Sequence, residues 1–115
     1  MIKRIQVGPR MSQAVVHGQI VYLAGQVADD PKADVTTQTR QVLASIDRLL
    51  AAAGTDKRQI LRANIFLKDI GRFADMNKVW DGWVAQGHTP ARATVQSALA
   101  TPDYQVEIVI TAALP

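Results

Sequence analysis

From Asp34 to Gly54 the sequence writes one helix with a single apolar face, and that face dictates the rest of the fold. Val42, Leu43, Ile46, Leu49, Leu50 and Ala53 follow at spacings of 1, 3, 3, 1 and 3. That is the stripe of a 3.6-residue period. Asp34 can accept from the free N–H groups of the first turn, and Gly54 supplies a left-handed stop. The pattern predicts a helix over Val35 to Ala53. Its other side is polar, so it must lie on the surface of a core built by something else. A chain of 115 residues holds one such core, so residues 1–115 form a single domain.

Strands supply the second layer. Ile2 to Val7 alternates weakly and suits an edge. Ala14 to Val16 and Gln19 to Ala24 are β-rich runs, with His17-Gly18 between them as a two-residue hairpin connection. Ile60 to Lys68 alternates, with Leu61, Ala63, Ile65 and Leu67 on one face. Phe73, Met76, Val79, Trp80 and Trp83 mark a second amphipathic helix, ended by Gly87. Pro90 opens a strand from Ala91 to Ala98, and the final strand runs from Tyr104 to Ala112. The order predicts an α+β fold, a mixed sheet with two helices packed on one face.

The last two strands carry the candidate chemistry. In the final one, Tyr104, Val106, Ile108, Ile110 and Ala112 share a face, and Gln105, Glu107, Val109 and Thr111 share the other. In the one before, Arg92, Thr94 and Gln96 oppose the more apolar Ala91, Ala93, Val95 and Ser97. With the apolar faces under the helices, Arg92 and Glu107 both project from the opposite side. A hairpin pairing Val95 with Tyr104 would set Arg92 beside Glu107. That side is half apolar and lacks a helix to cover it, which points to a partner subunit. Arg92 is a candidate clamp for a small carboxylate, and Glu107 a candidate acid, base or holder of water. A structural Arg–Glu ion pair, or two unconnected surface charges, is the competing reading.

Other chemistries lack their residues. There is no cysteine, hence no disulfide, thiolate metal site or cysteine nucleophile. His17 and His88 are isolated from carboxylates at ligand spacing, so no metal is expected. No Gly-x-Ser-x-Gly elbow or phosphate-cradling glycine loop occurs. The pI of about 9.6 suggests nucleic acid. The basic residues are scattered, however, and the stripe of a nucleic-acid binder is missing. No apolar run approaches a membrane span or a signal peptide, so a cytoplasmic location is expected. Trp80 and Trp83 read as core or subunit-contact residues, and Asn77 as a surface residue of its helix.

The run Pro90-Ala91-Arg92-Ala93-Thr94-Val95-Gln96-Ser97-Ala98-Leu99, with Val106-Glu107-Ile108, resembles the C-terminal signature of the RidA (YjgF) family. Gly8-Pro9-Arg10-Met11-Ser12-Gln13-Ala14 resembles the family's Gly-Pro-Tyr-Ser-Gln-Ala stretch, and Val21-Tyr-Leu-Ala-Gly-Gln26 its next strand. Ala51-Ala-Ala-Gly54 and Asn77 also fall where members have similar residues. The resemblance spans essentially the whole chain.

It implies a chorismate-mutase-like fold and a homotrimer whose sheets surround a central barrel, with clefts between subunits. It implies hydrolysis of reactive enamines and imines (2-imino acids) to 2-keto acids and ammonia, without metal or organic cofactor. Arg92 would hold the substrate carboxylate, backbone N–H groups near Gly25 and Thr94 would complete the anion site, and Glu107 would position water. Met11 would line the pocket, and Asn77 becomes a cleft residue. Non-catalytic metabolite-binding or regulatory proteins and RNA-acting translation inhibitors or endoribonucleases are the alternatives among relatives. Three positions depart from the family pattern. Arg10-Met11, with one extra residue, replaces the early tyrosine. Thr94 stands where well-known members often have cysteine, and Ala24 stands for a frequent serine. A thioether packs but cannot donate as a phenol does, so these changes imply an altered pocket wall around an intact clamp.

Overall fold

Alternation in the central strands decides which side of the sheet the helices cover. A computed structural model describes residues 1–115. Its strands are β1 (Ile2–Val7), β2 (Ser12–His17), β3 (Ile20–Leu23), β4 (Ile60–Leu67), β5 (Ala91–Gln96) and β6 (Val106–Ala113). The helices are α1 (Val35–Ala53) and α2 (Phe73–Trp83). The six strands form one sheet in the order β1-β2-β3-β6-β4-β5. Only β4 and β5 run parallel; every other neighbouring pair is antiparallel. Ile65 and Leu67 of β4 and Val106, Ile108 and Ile110 of β6 are fully buried with Leu43, Ile46 and Leu50 of α1. This is the two-layer α+β arrangement read from the sequence. No helix is long and apolar enough to cross a membrane.

α1 has the expected bounds. Asp34 Oδ1 accepts from the Thr37 N–H at 2.8 Å. That bond holds the Asp34 carboxyl below the usual carboxylate range. Gly54, at φ 92°, closes the helix through its N–H to the carbonyls of Ala51 and Leu50.

Four local expectations are corrected. The β2–β3 turn is Gly18-Gln19 rather than His17-Gly18, because His17 pairs with Ile20. α2 stops at Trp83, four residues before Gly87, where buried Val84 turns extended at φ −60°, ψ 141°. β5 ends at Gln96. β6 begins at Val106, because the Gln105 N–H is taken by the Gln38 side chain at 2.8 Å.

Gln38 fastens the loops at this end of the molecule. Its side chain is buried in α1, and Nε2 donates to the carbonyls of Ala33 at 3.0 Å and Asp103 at 3.1 Å. Gln38→Leu strands these partners and the Gln105 N–H, each costing about 1–3 kcal/mol if water cannot reach it. Urea unfolding at fixed protein concentration should show a loss of about 3 kcal/mol. A loss under about 1 kcal/mol would mean that solvent replaces the amide.

The larger correction concerns the last two strands. They do not form a hairpin: β4 lies between them. In the parallel register Ala63 pairs with Arg92 and Ile65 with Thr94. Laterally paired residues share a face, and Ala63 and Ile65 are fully buried beneath the helices. Arg92 and Thr94 therefore turn to the helix side, not away from it. The physical reason is that β5 is an edge strand at the margin of the helical layer. Its apolar Ala93 and Val95 instead extend the opposite face, in line with Asn64 and Phe66 of β4.

Candidate functional site

Glu107 projects from the face away from the helices, as the alternation in β6 requires, beside Phe66 of β4. Its immediate neighbour in space is Gly25. Tyr22 pairs with Thr111 and Gln26 bridges Ile108, so Leu23, Ala24 and Gly25 stand opposite only Val109 and Ile110. This bulge brings the Gly25 backbone against the carboxylate. A Cβ at Gly25 would lie 2.9 Å from Glu107 Cδ and closer still to Oε2. A side chain at Gly25 would have to push the Glu107 carboxylate out of this position.

A polar relay supports the bulge. Ser45 Oγ donates to Gln26 Oε1 at 3.0 Å, and Gln26 Nε2 donates to Gln13 Oε1 and to the Ala24 carbonyl, each at 3.0 Å. Met11 is half exposed and lines a cavity of about 470 Å³ with Gly25, Gln13 and Gln26. Gln6, on the same wall, holds a left-handed φ of 51°, a strain that clusters at functional sites.

Arg92 belongs to a second group on the helix side. Its Nη1 donates to Asn77 Oδ1 of α2 at 2.7 Å. The guanidinium carbon lies 5.2 Å from the Trp80 ring centre and 5.6 Å from that of Phe73. No carboxylate pairs with it. The ion pairs of the chain are Lys32–Asp103, Arg58–Asp56 and Arg72–Asp75, all exposed. The structural Arg92–Glu107 pair is therefore absent within the protomer. Thr94, two residues along on the same face, buries its hydroxyl without a hydrogen-bond partner. Such a group costs free energy until something bonds to it.

The six residues singled out in the sequence thus fall into two sets. Gly25 meets Glu107 at the β3 bulge and Met11 lines the adjoining cavity with Gly25, while Arg92, Thr94 and Asn77 fall at the β5–α2 edge. One protomer does not bring the sets together. Trp80 lies in the core, as expected from the sequence; what sequence reasoning missed is that its ring and that of Phe73 also flank Arg92. The available signal was their spacing with Asn77 at i, i+4 and i+7, one stripe of α2. The Gln13–Gln26–Ser45 relay left no local signal, since its members meet only in three dimensions. No cluster of three potential metal-ligating side chains occurs.

Comparison with known proteins gives one consistent result. The family described as Endoribonuclease L-PSP matches residues 1–114. A RutC family protein of Haemophilus ducreyi is 46% identical over 99% of this chain and 97% of its own length. The RutC family protein YoaB of Escherichia coli is 47% identical over 98% of both chains. The crystal structure of a YjgF family member from Neisseria meningitidis superposes with a TM-score of 0.97 at 46% identity, covering 100% of this chain and 96% of that one.

Proposed function

The chain belongs to the YjgF/RutC/RidA family, the Endoribonuclease L-PSP family, and from that premise we propose that it hydrolyses 2-imino acids to 2-keto acids and ammonia in clefts between the subunits of a homotrimer. The observation that carries this reading is Arg92, half-buried and fixed in place yet unpaired with any carboxylate. A guanidinium held this way is built to receive a carboxylate from a ligand, two N–H bonds at once.

The open sheet face supports the trimer. Tyr22 and Val95 are each 48% exposed there, and Phe66, Val109 and Val15 flank them in the same register. Closing three such faces around an axis buries this surface. It also offers a way to join the two residue sets, with Arg92, Thr94 and Asn77 from one subunit facing Met11, Gly25 and Glu107 of the next.

In the mechanism, Arg92 pins the substrate carboxylate and thereby sets the imine carbon relative to Glu107. Glu107 orients a water and takes up its proton as the oxygen attacks that carbon. The C=N double bond becomes a single bond in a tetrahedral adduct, and the nitrogen is protonated by water or by Glu107. The hydroxyl proton passes through Glu107 or water to the leaving nitrogen as the C–N bond breaks, which leaves a 2-keto acid and ammonia. The chain's own side chains suffice for each step, and no metal or organic cofactor is required. The Thr94 hydroxyl has its bonding capacity free for the substrate or the adjoining subunit.

A coupled assay, in which an amino-acid oxidase generates imines of several side chains, tests the reaction. Faster keto-acid formation with no RNA present is expected. It separates this reading from the ribonuclease activity in the family's description and from non-catalytic metabolite binding. Sedimentation should give three times the 12.5 kDa protomer mass. No acceleration for any imine would overturn the activity, and a mass near 12.5 kDa at micromolar concentration would overturn the trimer.

A further inference from the structure

We propose that Phe73 and Trp80 are positioning residues for Arg92, a bracket on α2 that fixes the plane of the guanidinium while leaving its donors free. The inference rests on the reading of Arg92 as the carboxylate clamp and names what holds that clamp in register.

Arg92 projects from an edge strand, and a free arginine there samples many rotamers. Bidentate recognition needs the fork held in one plane, and freezing a mobile fork on binding lowers affinity. A carboxylate neighbour would hold it, but would also occupy the N–H groups that the ligand needs and cancel the charge. The surroundings of Arg92 avoid both losses. Trp80, 5% exposed, and Phe73, 36% exposed, each lie within the range of a cation–π contact. A ring attracts the cation through its π-face and takes none of the in-plane N–H donors. Asn77 accepts a single hydrogen from Nη1. Of the five N–H donors of a guanidinium, the remainder have no partner in the chain. Phe73, Asn77 and Trp80 form one stripe, so one rigid helix delivers all three contacts.

A plain packing role, in which the arginine stem merely covers two rings, predicts something different. Altering the rings would then change stability and leave ligand affinity alone. The test is calorimetric titration of 2-oxobutanoate, a product-type keto acid, into the intact oligomer. Phe73→Leu and Trp80→Leu should each weaken binding about 5- to 30-fold, with Trp80→Phe within about 3-fold of the parent. The Arg92 Nε resonance should lose the Phe73 part of its ring-current shift in Phe73→Leu and keep the part due to Trp80.

Phe73 lies partly at the surface, so Phe73→Leu keeps the test open if Trp80→Leu does not fold. Folded Phe73→Leu binding the keto acid within 2-fold of the parent, while Arg92→Ala does not bind, would overturn the bracket alone. Parent-like binding by Arg92→Ala would overturn the clamp and the bracket together.

Discussion

Arg92→Ala should leave a folded protein in which the proposed hydrolysis of imino acids is lost. Each charge-assisted bond to a carboxylate is worth roughly 1.5–3 kcal/mol. Loss of a two-bond clamp should therefore lower kcat/KM by about 10²- to 10⁴-fold. The same change should abolish measurable binding of the keto-acid product. Arg92→Lys should also lose most activity, because one ammonium cannot reproduce the planar two-donor fork. Near-normal rates in Arg92→Lys would remove the bidentate clamp from the mechanism. Dissociation of the Arg92→Ala trimer would instead assign the residue to assembly.

Glu107→Gln should show the opposite pattern. The amide keeps the shape over Gly25 and can still bond water, but it carries no charge and accepts no proton. Turnover should fall about 10²- to 10⁴-fold, the usual contribution of a positioned general base. Keto-acid affinity should change little, since the carboxylate of the ligand is held elsewhere. Steady-state kinetics beside calorimetry of the same variant reads both quantities. A loss of keto-acid affinity equal to that in Arg92→Ala would make Glu107 part of the anion site's scaffold and end its role in activating water.

The facing of Glu107 was legible because β6 lies inside the sheet. Val106, Ile108, Ile110 and Ala112 all have to reach the helices, and a period of two then fixes the residue between them. Arg92 was misplaced by the same logic applied where it does not hold. β5 bonds only to β4, and the helices do not set which of its faces is the drier. A rule that puts apolar residues under helices assigned Ala93 and Val95 to the wrong side. The neighbour relation was also hidden, since strands joined by the loop around Pro102 are separated by β4, which precedes both in the chain with α2 in between. α1 was readable to its end residues because both caps are local chemistry, Asp34 at one end and Gly54 at the other. The bulge at Ala24-Gly25 was not, because it exists only as a mismatch between two strands distant in sequence.

Arg92 and Glu107 leave the sheet on opposite sides, and this has a genetic consequence. In the proposed ring no chain owns an active site; each cleft is a joint product of two neighbours. A defect in Arg92 and a defect in Glu107, carried on different copies of the gene, therefore need not add up to a null phenotype. When the two chains assemble at random in equal amounts, about a quarter of the clefts receive an intact arginine from one side and an intact glutamate from the other. Two inactive alleles expressed together would regain activity that neither has alone, whereas both defects on one allele would spoil its half of every cleft it enters.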